Sequence, residues 1–117
     1  MELEPIYRVD VNGTVVELDA DASIRDAIGG WIERVVLIEA TAETYGLDVW
    51  ADEEGLLRGL PPNPVASVLA RSFGVGNVIV GPVVVAGSRP PDTTGCPEGV
   101  GFELRRIAAY FADGAAL

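Results

Sequence analysis

Tyr7-Arg8-Val9-Asp10-Val11-Asn12-Gly13-Thr14-Val15-Val16-Glu17-Leu18 is the stretch on which the fold turns. Tyr7, Val9 and Val11 alternate with charged Arg8 and Asp10, and a second run from Thr14 to Leu18 follows Asn12-Gly13. Alternation with period two sends one side of a strand to a core and the other toward polar surroundings. Asn-Gly between two such runs is the strongest short-range hairpin signal, because both residues tolerate the positive φ of a type I′ turn. Antiparallel pairing is thereby expected in the sheet.

Downstream of the hairpin, Ser23 is an N-cap, with Asp26 three residues on in the manner of a capping box. Ile24, Ala27 and Ile28 form the apolar stripe of a short helix that Gly29-Gly30 ends. Val35-Val36-Leu37-Ile38 reads as a buried strand, with Trp31 expected in the core. Tyr45 to Ala51 alternates again, with Leu47 and Val49 inward and Asp48 and Trp50 on the polar side. Asp52-Glu53-Glu54-Gly55 is a turn, after which Leu56 to Leu60 is expected to return as a strand.

Leu60-Pro61-Pro62-Asn63-Pro64 predicts an extended approach, an Asn63 N-cap and Pro64 in the first helical turn. That helix runs to about Phe73 and buries Val65, Val68 and Leu69. Val78-Ile79-Val80 and Val83-Val84-Val85 read as two strands split by Gly81-Pro82. Residues 87–101 read as an irregular Pro/Gly/Thr-rich loop. Phe102, Leu104, Ile107, Ala108 and Phe111 then mark a C-terminal helix. The order is ββαβββαββα: one α+β domain over residues 1–117, with a mixed or mainly antiparallel sheet and about three helices.

Composition narrows the chemistry. The 117 residues are 49% apolar and 22% charged, ordinary for one globular domain. The chain has no histidine and no lysine. This excludes imidazole bases, Ser-His and Cys-His pairs, a Walker lysine and Schiff-base chemistry. All eight basic residues are arginine, the pattern of a GC-rich coding sequence. The net charge of −10 disfavours direct contact with a phosphate backbone. The one cysteine, Cys96, permits no intramolecular disulfide and reads as an ordinary thiol in a flexible loop without an activating base. The acidic N-terminus lacks the apolar run of a signal peptide, and Val78 to Ala86 is too short to span a bilayer. A cytoplasmic location is expected.

Three elements in order carry a resemblance. They are Ile28-Gly29-Gly30-Trp31-Ile32-Glu33, Gly59-Leu60-Pro61-Pro62-Asn63-Pro64-Val65-Ala66 behind Asp52-Glu53-Glu54-Gly55, and Gly76-Asn77-Val78-Ile79-Val80-Gly81-Pro82-Val83-Val84-Val85. Over residues 6–87 the chain resembles a family of short phage and bacterial proteins, a domain of unknown function marked by a Leu-Pro-Xaa-Asn element. The resemblance implies a setting, that of accessory proteins acting in the bacterial cytoplasm. It implies no catalytic residue, and the tail after Gly87 lies outside it.

Charge is uneven. Residues 1–54 hold 14 acids against three arginines, whereas residues 55–91 hold no acid and Arg58, Arg71 and Arg89. Asp48, Asp52, Glu53 and Glu54 are expected as solvated turn carboxylates on an acidic surface, with Trp50 as an aromatic anchor beside them. The acids cluster in turns instead of repeating like phosphates, which argues against nucleic-acid mimicry. Gly74-Val75-Gly76 follows a helix, the wrong order for a dinucleotide fingerprint. The expected function is that of a small acidic phage-type accessory protein that binds a host or phage protein. No catalysis, cofactor, metal, direct nucleic-acid contact or membrane contact is expected. The alternative is a small-molecule binder for a nucleotide or other anion, using Arg58, Arg71 and Arg89 with the helix N-terminus after Asn63.

Overall fold

The Tyr7–Leu18 hairpin forms, with Val9 opposite Val15 and Ile6 opposite Leu18. Its turn is one residue longer than a type I′ connection. Asp10 N–H donates to Thr14 O and Gly13 N–H to Asp10 O, and Gly13 alone takes a positive φ of 91°. This is a three-residue loop in which Gly13 occupies the left-handed position of a bulge. Asn12 instead accepts from Thr14 N–H through its side chain.

The computed structural model describes residues 2–112. Its elements are β1 (Ile6–Val9), β2 (Val15–Leu18), α1 (Ile24–Ile28), β3 (Ile32–Ile38), β4 (Gly46–Asp52), α2 (Pro64–Ser72), β5 (Val83–Arg89), β6 (Asp92–Thr94) and α3 (Val100–Ala112). The sheet has the order β2-β1-β5-β4-β3, and every pairing is antiparallel. β6 adds to the far half of β5. The architecture is α+β, with a central β5 and free edges at β2 and β3.

Both faces of the sheet are covered. Tyr7, Val9, Leu47, Val49, Ala51, Val83 and Val85 meet α2 and α3 on one face. On the other, Ile6, Val84 and Ala86 pack with Ile28 of α1, and Trp50 and Ile32 close against them. The helix ends follow local chemistry. Ser23 Oγ accepts from Asp26 N–H at α1, and Gly29 ends it in the left-handed conformation. Asn63 caps α2, whose Pro64 stands in the first turn.

Four expectations are corrected. Leu56 to Leu60 is a succession of turns, not a strand. Val78 to Val80 joins the sheet-like structure only through a Pro62–Val80 bridge, since β5 already has β1 and β4 as neighbours. Residues 87–101 are not one irregular loop: β5 continues to Arg89 and turns into β6. Trp31 is not in the core. It is 62% exposed, with the Arg25 guanidinium 4.9 Å from its ring centre.

Candidate functional site

Asp52 builds the most distinctive surface of the molecule. It ends β4 and is buried. Its Oδ1 accepts from Glu54 N–H at 2.8 Å, and its Oδ2 receives the Arg58 guanidinium. Gly55 N–H donates to Asp52 O, Arg58 N–H to Glu54 O, and Leu60 N–H to Gly55 O. The carboxylate therefore acts as a cap, and Arg58 ties the far end of the turn back to it. The result is a compact turn that holds its apex residues out of the protein. Leu56 is 78% exposed and Leu57 88%.

Beside the turn lies a pocket of about 370 Å³. Val35, Ala51 and Ile79 line it, Leu56 and the 59%-exposed Val78 flank it, and Glu33 and Glu53 contribute carboxylates. Glu33 and Val35 belong to β3, a free edge of the sheet. Exposed leucines, an apolar pocket, acidic groups and an open strand edge thus adjoin one another.

The residues singled out from sequence separate into distinct places. Glu53 and Glu54 are exposed on the turn, as expected. Asp48 and Asp52 are not solvated: both are buried, and Asp48 is ion-paired to Arg34 Nε at 2.9 Å. Trp50 lies on the same face as Asp48, half-buried against the cluster under α1. Arg58 is committed to Asp52. Arg89 lies over the Tyr45 ring at 5.1 Å, at the opposite end of β4. Six strand residues separate these ends by about 20 Å, so Arg58 and Arg89 do not converge. Arg71 is exposed in the last turn of α2.

Asn63 is wholly buried, and its side chain is fully used. Oδ1 accepts from Ala66 N–H at 3.1 Å, while Nδ2 donates to Val9 O at 3.0 Å and to Gly81 O at 2.9 Å. The N-terminus of α2 is therefore closed by its own cap and is not open to an anion. Leu60 to Pro64 ties β1, the Ile79–Gly81 segment and α2 together.

A second polar group lies away from the turn. Glu4 accepts from Gly99 and Gly101 N–H at 2.8 Å each and from Tyr7 OH at 2.9 Å. Burial opposes its charge, but the Gly101 and Gly99 donors, the Tyr7 hydroxyl and nearby Arg105 outweigh it and hold the carboxyl below its ordinary value. Burial, then the hydrogen bond to Glu4 and its charge, push the Tyr7 hydroxyl up to about 12. Cys96 is in the core rather than on a flexible loop, and donates to Val85 O at 3.2 Å. Burial and then the Glu4 charge push its thiol up to about 12.

The residues that sequence reasoning missed are Leu56, Leu57, Val78 and Glu33. A signal was available in Leu56-Leu57: two adjacent leucines behind an Asp-Glu-Glu-Gly turn cannot both face inward on a strand. No helix among the described residues is long and apolar enough to cross a membrane. No group of metal-ligating side chains occurs among them.

The fold and surface define a small antiparallel α+β domain whose prominent feature is a hydrogen-bonded turn with exposed leucines beside an open sheet edge. The chain belongs to the DUF3846 family, a domain of unknown function, whose model matches residues 3–107. The match extends past Gly87 into α3, beyond the span legible by resemblance. No curated protein and no solved structure matches the chain.

Proposed function

We propose that this domain is a non-catalytic accessory protein that docks a basic, apolar-tipped segment of a partner protein onto the Leu56-Leu57 turn and the adjoining edge of β3. The observation that carries this reading is the pair of leucines held outward by the Asp52–Arg58 brace. Burying a leucine side chain contributes about 1.5–3 kcal/mol. Two leucines cannot alone offset the cost of association, which is at least about 4 kcal/mol. The β3 edge supplies the remainder. An edge strand presents unpaired N–H and C=O groups to which an extended partner segment adds. The pocket under Val35 and Ile79 then receives an apolar side chain, and Glu33, Glu53 and Glu54 favour Arg or Lys beside it. The charge of −10 steers such a partner and repels nucleic acid. In this reading the chain is a phage-type protein acting on a host or phage protein in the bacterial cytoplasm.

The test is affinity capture from bacterial lysate with the wild-type chain and with the L56S/L57S double variant, followed by measured binding of the captured protein. The expected partner is lost by the double variant, and its on-rate falls between 0.1 M and 1 M salt as the Debye length drops from about 10 Å to about 3 Å. A partner that binds the double variant as tightly as wild type overturns the proposal.

A further inference from the structure

Among the described residues, three buried side-chain atoms have no hydrogen-bond partner: Asp48 Oδ1, Trp50 Nε1 and Ser88 Oγ. All three belong to residues lining a single pocket of about 210 Å³. The pocket lies across the sheet from α2 and α3, between β4 and the β5–β6 turn. Buried polar groups in folded proteins are nearly always paired, so three orphans around one space are an unusual concentration.

We propose that this pocket binds a small, neutral, planar molecule that carries an N–H donor next to a carbonyl acceptor, the chemistry shared by a primary amide and the edge of a nucleobase. The donor inventory sets the class. Asp48 Oδ2 is occupied by Arg34 Nε, so Oδ1 is left as an acceptor that needs a donor, which an amide N–H supplies. Trp50 Nε1–H donates only, so it needs an acceptor, which a carbonyl oxygen supplies. Ser88 Oγ serves either role.

Geometry supports the grouping. Asp48 and Trp50 alternate along β4 and so share a face, with Cβ atoms about 7 Å apart. Ser88 stands opposite Gly46 on the neighbouring strand, one step along from Asp48. Its hydroxyl occupies the space that a side chain at position 46 would fill, since a Cβ on Gly46 would collide with Ser88 Oγ.

Charge selects neutrality. Arg34 offsets the buried Asp48 carboxylate and the exposed Asp92 adds a second one to the lining, so a ligand anion meets two carboxylates and a ligand cation meets Arg34 beside Asp48. Pro90 and Pro91 line the pocket and offer no N–H to it. At about 30 Å³ per water, the space corresponds to roughly seven waters, enough for one six-membered ring.

The proposal is independent of the docking turn, and its test is a titration of ¹⁵N-labelled protein followed at the Trp50 indole N–H, assigned with W31F. Uracil and acetamide are the neutral probes and distinguish a base edge from a simple amide. Acetate, inorganic phosphate and methylammonium are the charged controls. Uracil or acetamide is expected to shift the Trp50 signal saturably, while the controls leave it unmoved. S88A, which only deletes a hydroxyl, is expected to weaken that binding about two- to tenfold while leaving the remaining spectrum folded. Saturable binding of a charged control alone overturns the ligand class. No saturable shift with any probe, together with water cross-peaks to the indole N–H, overturns the site and makes it a hydration pocket.

Discussion

Replacing Asn63 by alanine tests how much of the fold one side chain secures. An N-cap alone contributes about 1 kcal/mol. Asn63 does more than cap α2. Its Nδ2 also donates to Val9 O and Gly81 O, and the residue is fully buried. Alanine leaves both carbonyls short of a donor in a site that the side chain had sealed. Each under-satisfied group costs about 1 kcal/mol or more, for a total of about 3–4 kcal/mol. The matched control is N63S, whose hydroxyl can cap Ala66 N–H but is too short to reach both carbonyls. Urea denaturation followed by tryptophan fluorescence measures both variants. With a slope of about 1.5–2 kcal/mol/M, N63A is expected to lower the midpoint by about 2 M. N63S is expected to recover about 1 kcal/mol of the loss. A loss of only about 1 kcal/mol in N63A, erased in N63S, would refute the reasoning and reduce Asn63 to a cap.

Two further predictions follow from the Glu4 seat. Glu4 has a lowered value in the folded chain, so its stabilisation is complete above the unfolded value of about 4.5 and fades as pH falls through the folded one. E4Q is expected to lose about 1–2 kcal/mol at pH 7, and thermal melts of variant and wild type are expected to converge near pH 3. The Cys96 thiol, raised to about 12 and buried, stays protonated at pH 8. A disulfide reagent is expected to leave it unmodified in the folded protein and to titrate one thiol in guanidinium chloride; prompt reaction in the folded state would contradict its burial.

Much of the fold was legible because its signals are local. Alternation around Asn12-Gly13, the Ser23 cap with Gly29, and Asn63-Pro64 each act within a few residues. Long-range competition hid the rest. Val78-Ile79-Val80 has strand chemistry, but both neighbours of β5 are already taken, so the run is tied instead to the segment ahead of α2. Ile79 N–H finds Ser67 Oγ, and Asn63 N–H finds Ile79 O. Alternation alone places Asp48 and Trp50 opposite the dry Leu47–Val49 face and does not show whether their own face is wet or covered. The apolar Ile32, Val84 and Ala86 on that second face were the sign that α1 covers it. Of the four acids Asp48, Asp52, Glu53 and Glu54, only Glu53 and Glu54 are exposed. Asp52 organises the turn and Asp48 floors the polar pocket, so neutralising all four together would perturb structure as well as surface charge.

The seat of Glu4 also bears on the order in which the chain can become native. Its carboxylate meets Gly99 and Gly101, 95 and 97 residues further on, at the start of α3. The ribosome makes Glu4 well before the donors it needs, which follow only after β5 has emerged. At about 5–20 residues per second, that is an interval of roughly 5–20 s. Until α3 arrives, the Tyr7, Val49 and Val85 side of the sheet lacks part of its cover. Such contacts of high sequence separation slow folding, because loop closure precedes the reward. α3 is therefore fastened by a residue made about 95 residues before it, and its docking joins two distant stretches of the chain.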